Sequence, residues 1–192
     1  MRRIIEHLMI RSLSITVVTI VVATLCGCAE TIPITYTPQN YVRYQGQVDI
    51  GQFTYEPSTQ GEVKPNQLQN TAIGSVYIST DIADLVQRAT ALELEKTGFQ
   101  IGDTHPLQVS GDVLEFKAND LGYSVGWTYS IRYKIVRKAD STTLLNKVYT
   151  ADPKKTGKFN MPSDYGPSVN EMILAGYDMF IRDDEVRKIL GQ

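Results

Sequence analysis

The chain has 192 residues, 42% of them hydrophobic and 21% charged, an ordinary globular composition with room for one core. Its two cysteines, Cys26 and Cys28, both lie at the end of one apolar run, which excludes a disulfide framework and a cysteine-rich metal site. Three of the 19 basic and one of the 21 acidic residues fall in the leader described next; the remainder carries a formal charge of −4, which argues against nucleic-acid partners and against docking on anionic headgroups by charge alone.

The chain begins with a basic stretch (Arg2, Arg3, Arg11) followed by an apolar run from Leu13 to Leu25. That run is shorter than the roughly 20 residues that span a bilayer, and fits the apolar region of an export signal. The sequence Leu25-Cys26-Gly27-Cys28 resembles the lipobox of bacterial lipoproteins: an aliphatic residue, a small one, Gly or Ala, then the acylated cysteine. Small residues suit a peptidase that binds this segment extended, and the thiol is needed because diacylglycerol is attached to sulfur. Residues 1–27 are therefore expected to be removed and Cys28 to be acylated; acylation at Cys26 would put Leu25 just before the cut, a poorer fit. An uncut signal anchor is the competing reading. The resemblance to lipoproteins of Gram-negative bacteria adds a sorting cue: Ala29, not Asp, follows Cys28, which implies the inner leaflet of the outer membrane, facing the periplasm.

Residues 28–45 hold three tyrosines and two prolines without helical or strand period and read as a lipidated tether. Extended at about 3.3 Å per residue, such a stretch reaches about 60 Å. Tyr36, Tyr41 and Tyr44 either pack partly on the domain or form an aromatic docking motif. Residues 46–192 are expected to form a single α+β domain.

A first strand is predicted over Gln47–Tyr55, with an irregularity at Gly51, and a short one over Ser75–Ile78. The polar Pro57–Asn70 stretch between them reads as a loop. A helix follows, capped by Ser79, Thr80 or Asp81, with Ile82, Leu85, Val86, Ala89 and Leu92 on one face and Asp84, Gln87, Arg88 and Glu95 on the other. Gly98 closes it and Phe99 packs back. Leu107–Ala118 is a strand whose side-chain parity switches, which predicts a bulge near Asp112–Val113. After Asn119-Asp120-Leu121-Gly122 comes the clearest strand, with Val125, Trp127, Tyr129, Ile131, Tyr133 and Ile135 at every second position. A turn at Ala139–Thr142 leads to a strand over Leu144–Thr150, and Ala151–Pro162 reads as a polar loop. The last large helix is expected over Ser168–Ile181, with Val169, Met172, Ile173, Gly176 and Phe180 on one stripe. Asp183 can cap a short terminal helix. The expected fold is α+β: an antiparallel sheet of four to five strands, built from consecutive hairpins, with two main helices on one face, in the order β-β-α-β-β-β-α.

Chemistry is sparse. His105 sits beside Pro106 in a loop, with no neighbouring nucleophile and no second His or Cys at metal spacing. Asp183-Asp184-Glu185 can be read as a cation site, but at a helix start capping and dipole complementarity explain it better. Lys154, Lys155 and Lys158 either bind phosphate or headgroups or are simply solvated. Gly122-Tyr123-Ser124-Val125-Gly126 precedes a strand, so it lacks the helix a phosphate loop needs. Tyr77, Tyr123, Trp127, Tyr129, Tyr133 and Tyr149 form either core rungs or, at a sheet edge, a place for a partner strand or acyl chain. No catalytic, metal or cofactor-binding residue is assigned; the one modified residue expected is Cys28.

From Ser79 onward the chain resembles the YajG-type family of small outer-membrane lipoproteins. The resemblance rests on a helix that opens Ser79-Thr80-Asp81-Ile82 and closes Lys96-Thr97-Gly98-Phe99, then the strand at Leu107–Phe116, a long alternating strand and a charged C-terminal helix. It implies an envelope location and this layer plan. The plan is also similar to auxiliary lipoproteins of lipid-transport ABC systems and to the lipopolysaccharide-assembly lipoprotein. Three functions are carried forward: a non-enzymatic accessory lipoprotein binding an envelope protein, a lipid-handling auxiliary with an apolar groove for acyl chains, and an enzyme, which the residue inventory disfavours.

Overall fold

The computed structural model describes residues 30–39, 43–70, 75–157 and 165–191. Its centre is strand β7 (Ser124–Arg137), which pairs antiparallel with β6 (Leu107–Asn119) on one side and with β8 (Thr142–Thr150) on the other. The alternation read from the sequence is realised: Val125, Trp127, Tyr129, Ile131, Tyr133 and Ile135 are fully buried on one face. Arg132, Lys134 and their neighbours line the other.

The sheet is mixed, which corrects the expectation of consecutive antiparallel hairpins. Strand β2 (Gly46–Tyr55) runs parallel to β6, and the short β5 (Phe99–Ile101) runs parallel to β2. Parallel neighbours cannot be joined by a tight turn, so the chain crosses over through the helix Ile82–Thr97. Two short strands complete the sheet: β3 (Gln69–Asn70), parallel to the end of β6, and β9 (Lys154–Gly157), antiparallel to the start of β7. The order is β5-β2-β6-β7-β8, and with β3 and β9 the sheet has seven strands among the described residues, against the four to five expected. The Ala151–Pro162 stretch is therefore not a loop throughout. A separate parallel pair joins β1 (Glu30–Ile32) to β4 (Val76–Ile78).

Both irregularities fall close to where the parity of the side chains put them. The β2–β6 register shifts between Ile50 and Phe53, around Gly51. The β6–β7 register shifts between Val113 and Glu115, so that Val109 and Val113 before the bulge, and Phe116 and Ala118 after it, all reach the same core.

Among the described residues four helices accompany the sheet: α1 (Glu56–Thr59), a single turn, α2 (Ile82–Thr97), α3 (Tyr165–Ile181) and α4 (Asp184–Ile189). The main pair, α2 and α3, cover the apolar face. Gly98 ends α2 at φ +114°, a left-handed conformation that glycine adopts without strain, and its N–H reaches the carbonyls of Leu94 and Glu95. The interlayer is aromatic. Tyr133 stacks on Phe180 at 4.3 Å between centroids, Phe116 meets Tyr129 edge-on at 4.9 Å, and Trp127 meets Tyr165 at 5.4 Å. At Gly176 helix and sheet come so close that a Cβ would lie 2.6 Å from Cε1 of Tyr129.

Candidate functional site

The region in which polar chemistry is concentrated is the seam where the N-terminal segment crosses the domain. Of the two readings of the tyrosines at 36 and 44, packing on the domain is what the structure shows, so the segment is not a free tether of ~60 Å reach. It starts as β1 against β4, where the Ser79 N–H donates to the Ile32 carbonyl at 2.9 Å and the Ile34 N–H donates to the Ser79 hydroxyl at 3.2 Å. It then crosses to α3, where the Asn170 side-chain amide donates to the Thr35 carbonyl at 3.1 Å. Ile32 is buried, and so is Tyr36.

Tyr36 ends on a carboxylate inside the protein. Its hydroxyl donates to Oε1 of Glu93 at 2.6 Å, and the Gln39 N–H donates to the same oxygen at 2.9 Å. Glu93, on α2, is fully buried. A buried carboxyl group without partners would be severely destabilising, so these donors are a condition of the fold. Around it, the Thr97 hydroxyl donates to the Glu93 carbonyl at 2.6 Å and lies 3.2 Å from the Tyr177 hydroxyl; Thr90 and Tyr133 share a hydrogen bond at 3.1 Å.

Burial pushes the Tyr36 hydroxyl far above its ordinary range, and the adjacent Glu93 adds to the effect. Burial likewise raises Tyr133, Tyr177 and Tyr129. These hydroxyls therefore stay protonated at any physiological pH. Tyr36, Tyr133 and Tyr177 hydrogen-bond to Glu93, Thr90 and Thr97, whereas the buried Tyr129 hydroxyl has no hydrogen-bond partner among the described residues. What the cluster does is fasten the N-terminal segment to α2, α3 and the sheet.

The residues singled out in the sequence are dispersed. Cys26 and Cys28 lie outside the described residues, as do Tyr41 and Lys158. His105 is half-buried in the turn before β6, its ring lying against Gly102, where a Cβ would be 3.1 Å from Nε2. Asp183 caps α4: one oxygen accepts the Glu185 N–H at 2.9 Å, and the other accepts from Lys147 at 2.6 Å and from the Tyr149 hydroxyl at 3.0 Å. The Lys147 ammonium holds its carboxyl below the usual carboxylate range. Asp184 pairs with Arg187 on the same turn, so two of the three acidic residues are engaged by protein groups. Lys154, on β9, pairs with Glu171 of α3, while Lys155 is exposed. Among the described residues no group of three or more His, Cys, Asp or Glu side chains is placed to hold a metal.

The aromatic set divides. Trp127, Tyr129, Tyr133 and Tyr149 are core rungs, whereas Tyr123 is 88% exposed. Open clefts flank the N-terminal segment and the end of α2. One of about 350 Å³ runs between the N-terminal segment and α3, lined by Pro33, Ile34, Thr37 and Glu171 among others. The second, about 480 Å³, is bordered by Gln45, Gly46, Gln47, Gly98 and Gln100. Neither contains His105 or a pair of carboxylates. No helix among the described residues is long and apolar enough to cross a membrane.

Sequence reasoning missed Glu93. It placed Leu92 on the buried stripe of α2, but Leu92 is 39% exposed, and the stripe continues from Val86 and Ala89 through Thr90, Glu93 and Thr97. The available signal was the carboxylate seven residues after Val86 and four after Ala89, on the apolar side of the helix.

No family model matches the chain, and no curated protein matches it. Among solved structures it is similar to protein XCC0632 from Xanthomonas campestris, of family model DUF330, with a TM-score of 0.63 at 9% identity over 86% of this chain and 97% of that one. Protein CT253 from Chlamydia trachomatis follows with a TM-score of 0.48 at 9% identity, covering 74% of this chain and 96% of the other. Lipoprotein GNA1162 from Neisseria meningitidis has a TM-score of 0.33 at 10% identity, covering 72% and 99%. At 9% identity the first of these shows a shared fold and leaves activity open.

Proposed function

We propose that this chain is a lipid-anchored, periplasm-facing accessory lipoprotein of the cell envelope, acylated on Cys28, which presents a rigid domain to a protein partner and catalyses no reaction. The observation that carries the reading is the junction of motif and structure. A lipobox-type sequence ends at Cys28, and two residues later the chain is already fixed to the domain by β1 and then by Tyr36 on Glu93. The anchor and the domain thus form one mechanical unit. Each methylene inserted contributes about 0.8 kcal/mol, so two or three acyl chains would hold that unit essentially permanently. Placement on the inner leaflet of the outer membrane follows from Ala29 after Cys28 and belongs to the same proposal, as does the affinity with YajG-type lipoproteins.

The lipid-handling alternative needs an apolar groove between helices and sheet. The space between them is filled by Trp127, Tyr129, Ile131, Tyr133, Tyr177 and Phe180, all fully buried, which favours the protein-binding reading. The test is in cells. Wild type should incorporate labelled palmitate, and Cys28→Ser should not and should remain a precursor. A photo-crosslinking residue at Val148, exposed on β8 at the end of the sheet, should capture an envelope protein. Normal labelling of Cys28→Ser, or a substrate turned over by the purified protein and lost in His105→Ala, would defeat the reading.

A further inference from the structure

The geometry points to a second membrane contact: the β6–β7 turn, through Leu121 and Tyr123, enters the lipid surface beside the acyl anchor. This rests on the anchored reading of Cys28 and adds an orientation to it.

Chain directions place the turn. Strand β3 runs parallel to β6, so both head toward the turn Asn119–Tyr123. Gln67, just before β3, bridges Tyr77 in the antiparallel sense, and the Leu68 N–H donates to the Val76 carbonyl, so β4 runs away from that end. Strand β1 is parallel to β4, with Glu30 opposite Val76. The start of β1 is therefore its closest approach to the β6–β7 turn. Strand β9, on Ser124–Trp127, lies at this end too.

Chain geometry then fixes the anchor. Cys28 is two residues before Glu30 and stands within about 7 Å of it in any conformation. If acyl chains on Cys28 are in the bilayer, this end of the domain is held against it, because no slack remains between the anchor and β1.

The turn at this end suits the location. Leu121 is 66% exposed and Tyr123 is 88% exposed, the two most exposed large hydrophobic residues among those described. A single exposed leucine needs no explanation. Two such residues in one hairpin turn, at the end from which the anchor departs, are another matter, and tyrosine, with an apolar ring and a polar tip, is favoured at the headgroup boundary. The turn closing the other end of β7 is polar: Asp140 accepts the Thr142 N–H and pairs with Arg137. With the apolar turn down and the polar turn up, the strands stand on the membrane and His105 and Asp140 face the periplasm.

The test uses the full chain, acylated and reconstituted in phosphatidylethanolamine–phosphatidylglycerol vesicles. Cys26 leaves with the leader and Cys28 is blocked by lipid, so Leu121→Cys, Tyr123→Cys and Asp140→Cys each supply one thiol for an environment-sensitive fluorophore. Each of the first two variants keeps the other apolar residue of the turn. Lipids carrying a nitroxide near the headgroup should quench the labels at 121 and 123 by about twofold and leave that at 140 unchanged. Equal, weak quenching at all three positions, in protein that carries acyl chains and floats with the vesicles, overturns the membrane contact and leaves the anchor standing. Protein that lacks acyl chains by mass spectrometry and does not float overturns both.

Discussion

The two faces of β7 are built to different rules. On the face toward α2 and α3, six alternate residues from Val125 to Ile135 are fully buried, and the hydroxyl of Tyr133 meets Thr90. On the other face Arg132 lies 3.0 Å from Glu56 and 3.4 Å from Asp112, Lys134 lies 2.6 Å from Asp112, and all four side chains keep contact with water. Charge on the open face is tolerated because solvent screens it; on the covered face even a methyl group has to fit.

The largest effect expected of a single change is on the covered face. Ile131→Asp places an unpaired carboxylate between α3 and the sheet and should cost about 4 kcal/mol or more, enough to abolish cooperative unfolding. Asn146→Asp, exposed on the open face opposite Lys134, should shift the urea midpoint by no more than the equivalent of about 0.5 kcal/mol. Equal losses would mean that both faces are buried. Next in size is Gly176→Ala. In a helix this change ordinarily stabilises, by up to about 1 kcal/mol. Here the added methyl meets Tyr129, fully buried and unable to retreat, so the sign should reverse to a loss of about 1–3 kcal/mol. A stabilised variant would show that helix and sheet are further apart than described.

How much of this was legible in the sequence follows from the range of each interaction. The alternation of β7, the stripe of α3, the Gly98 stop and the Asp183 cap are local patterns, and all are realised. The parity switch in β6 placed its bulge within two residues because every core position on one strand answers to the same neighbour. What failed is non-local. Nothing within Gly46–Tyr55 indicates that its partner is β6, more than fifty residues on, and parallel to it. Strand β9, with the sequence Lys-Lys-Thr-Gly, has no apolar face of its own and exists because β7 offers it an edge at Ser124–Trp127. Glu93 is buried because Tyr36 and Gln39 come from another segment to satisfy it, and helical spacing cannot show that.

Asp183 joins β8 to α4, and its effect should depend on pH. Its folded-state pKa is depressed, so the stability it adds is fully present above the unfolded value of about 3.9 and is lost as pH falls through the lower folded value. Asp183→Ala should cost about 1 kcal/mol at pH 7 through the lost cap. The difference from wild type should shrink below about pH 4. A penalty that persists unchanged at pH 2 would assign the effect to packing and not to the carboxylate.

The smallest effect bears on whether the open face is truly open. Arg132→Met removes one arm of the ladder, but Asp112 keeps Lys134 at 2.6 Å and the Thr54 hydroxyl at 3.0 Å. Half-exposed ion pairs contribute little, and the methionine retains much of the apolar stem that arginine lays on the sheet. Urea unfolding of the isolated protein should therefore move by less than about 0.5 kcal/mol, and by less again in molar salt, where pairs on this face are screened. A loss above about 1.5 kcal/mol that survives molar salt would mean that Arg132 is desolvated, since only a pair withdrawn from water resists screening. The open face would then be covered by a second copy, and the difference between the two faces of β7 would be one of partner and not of solvent.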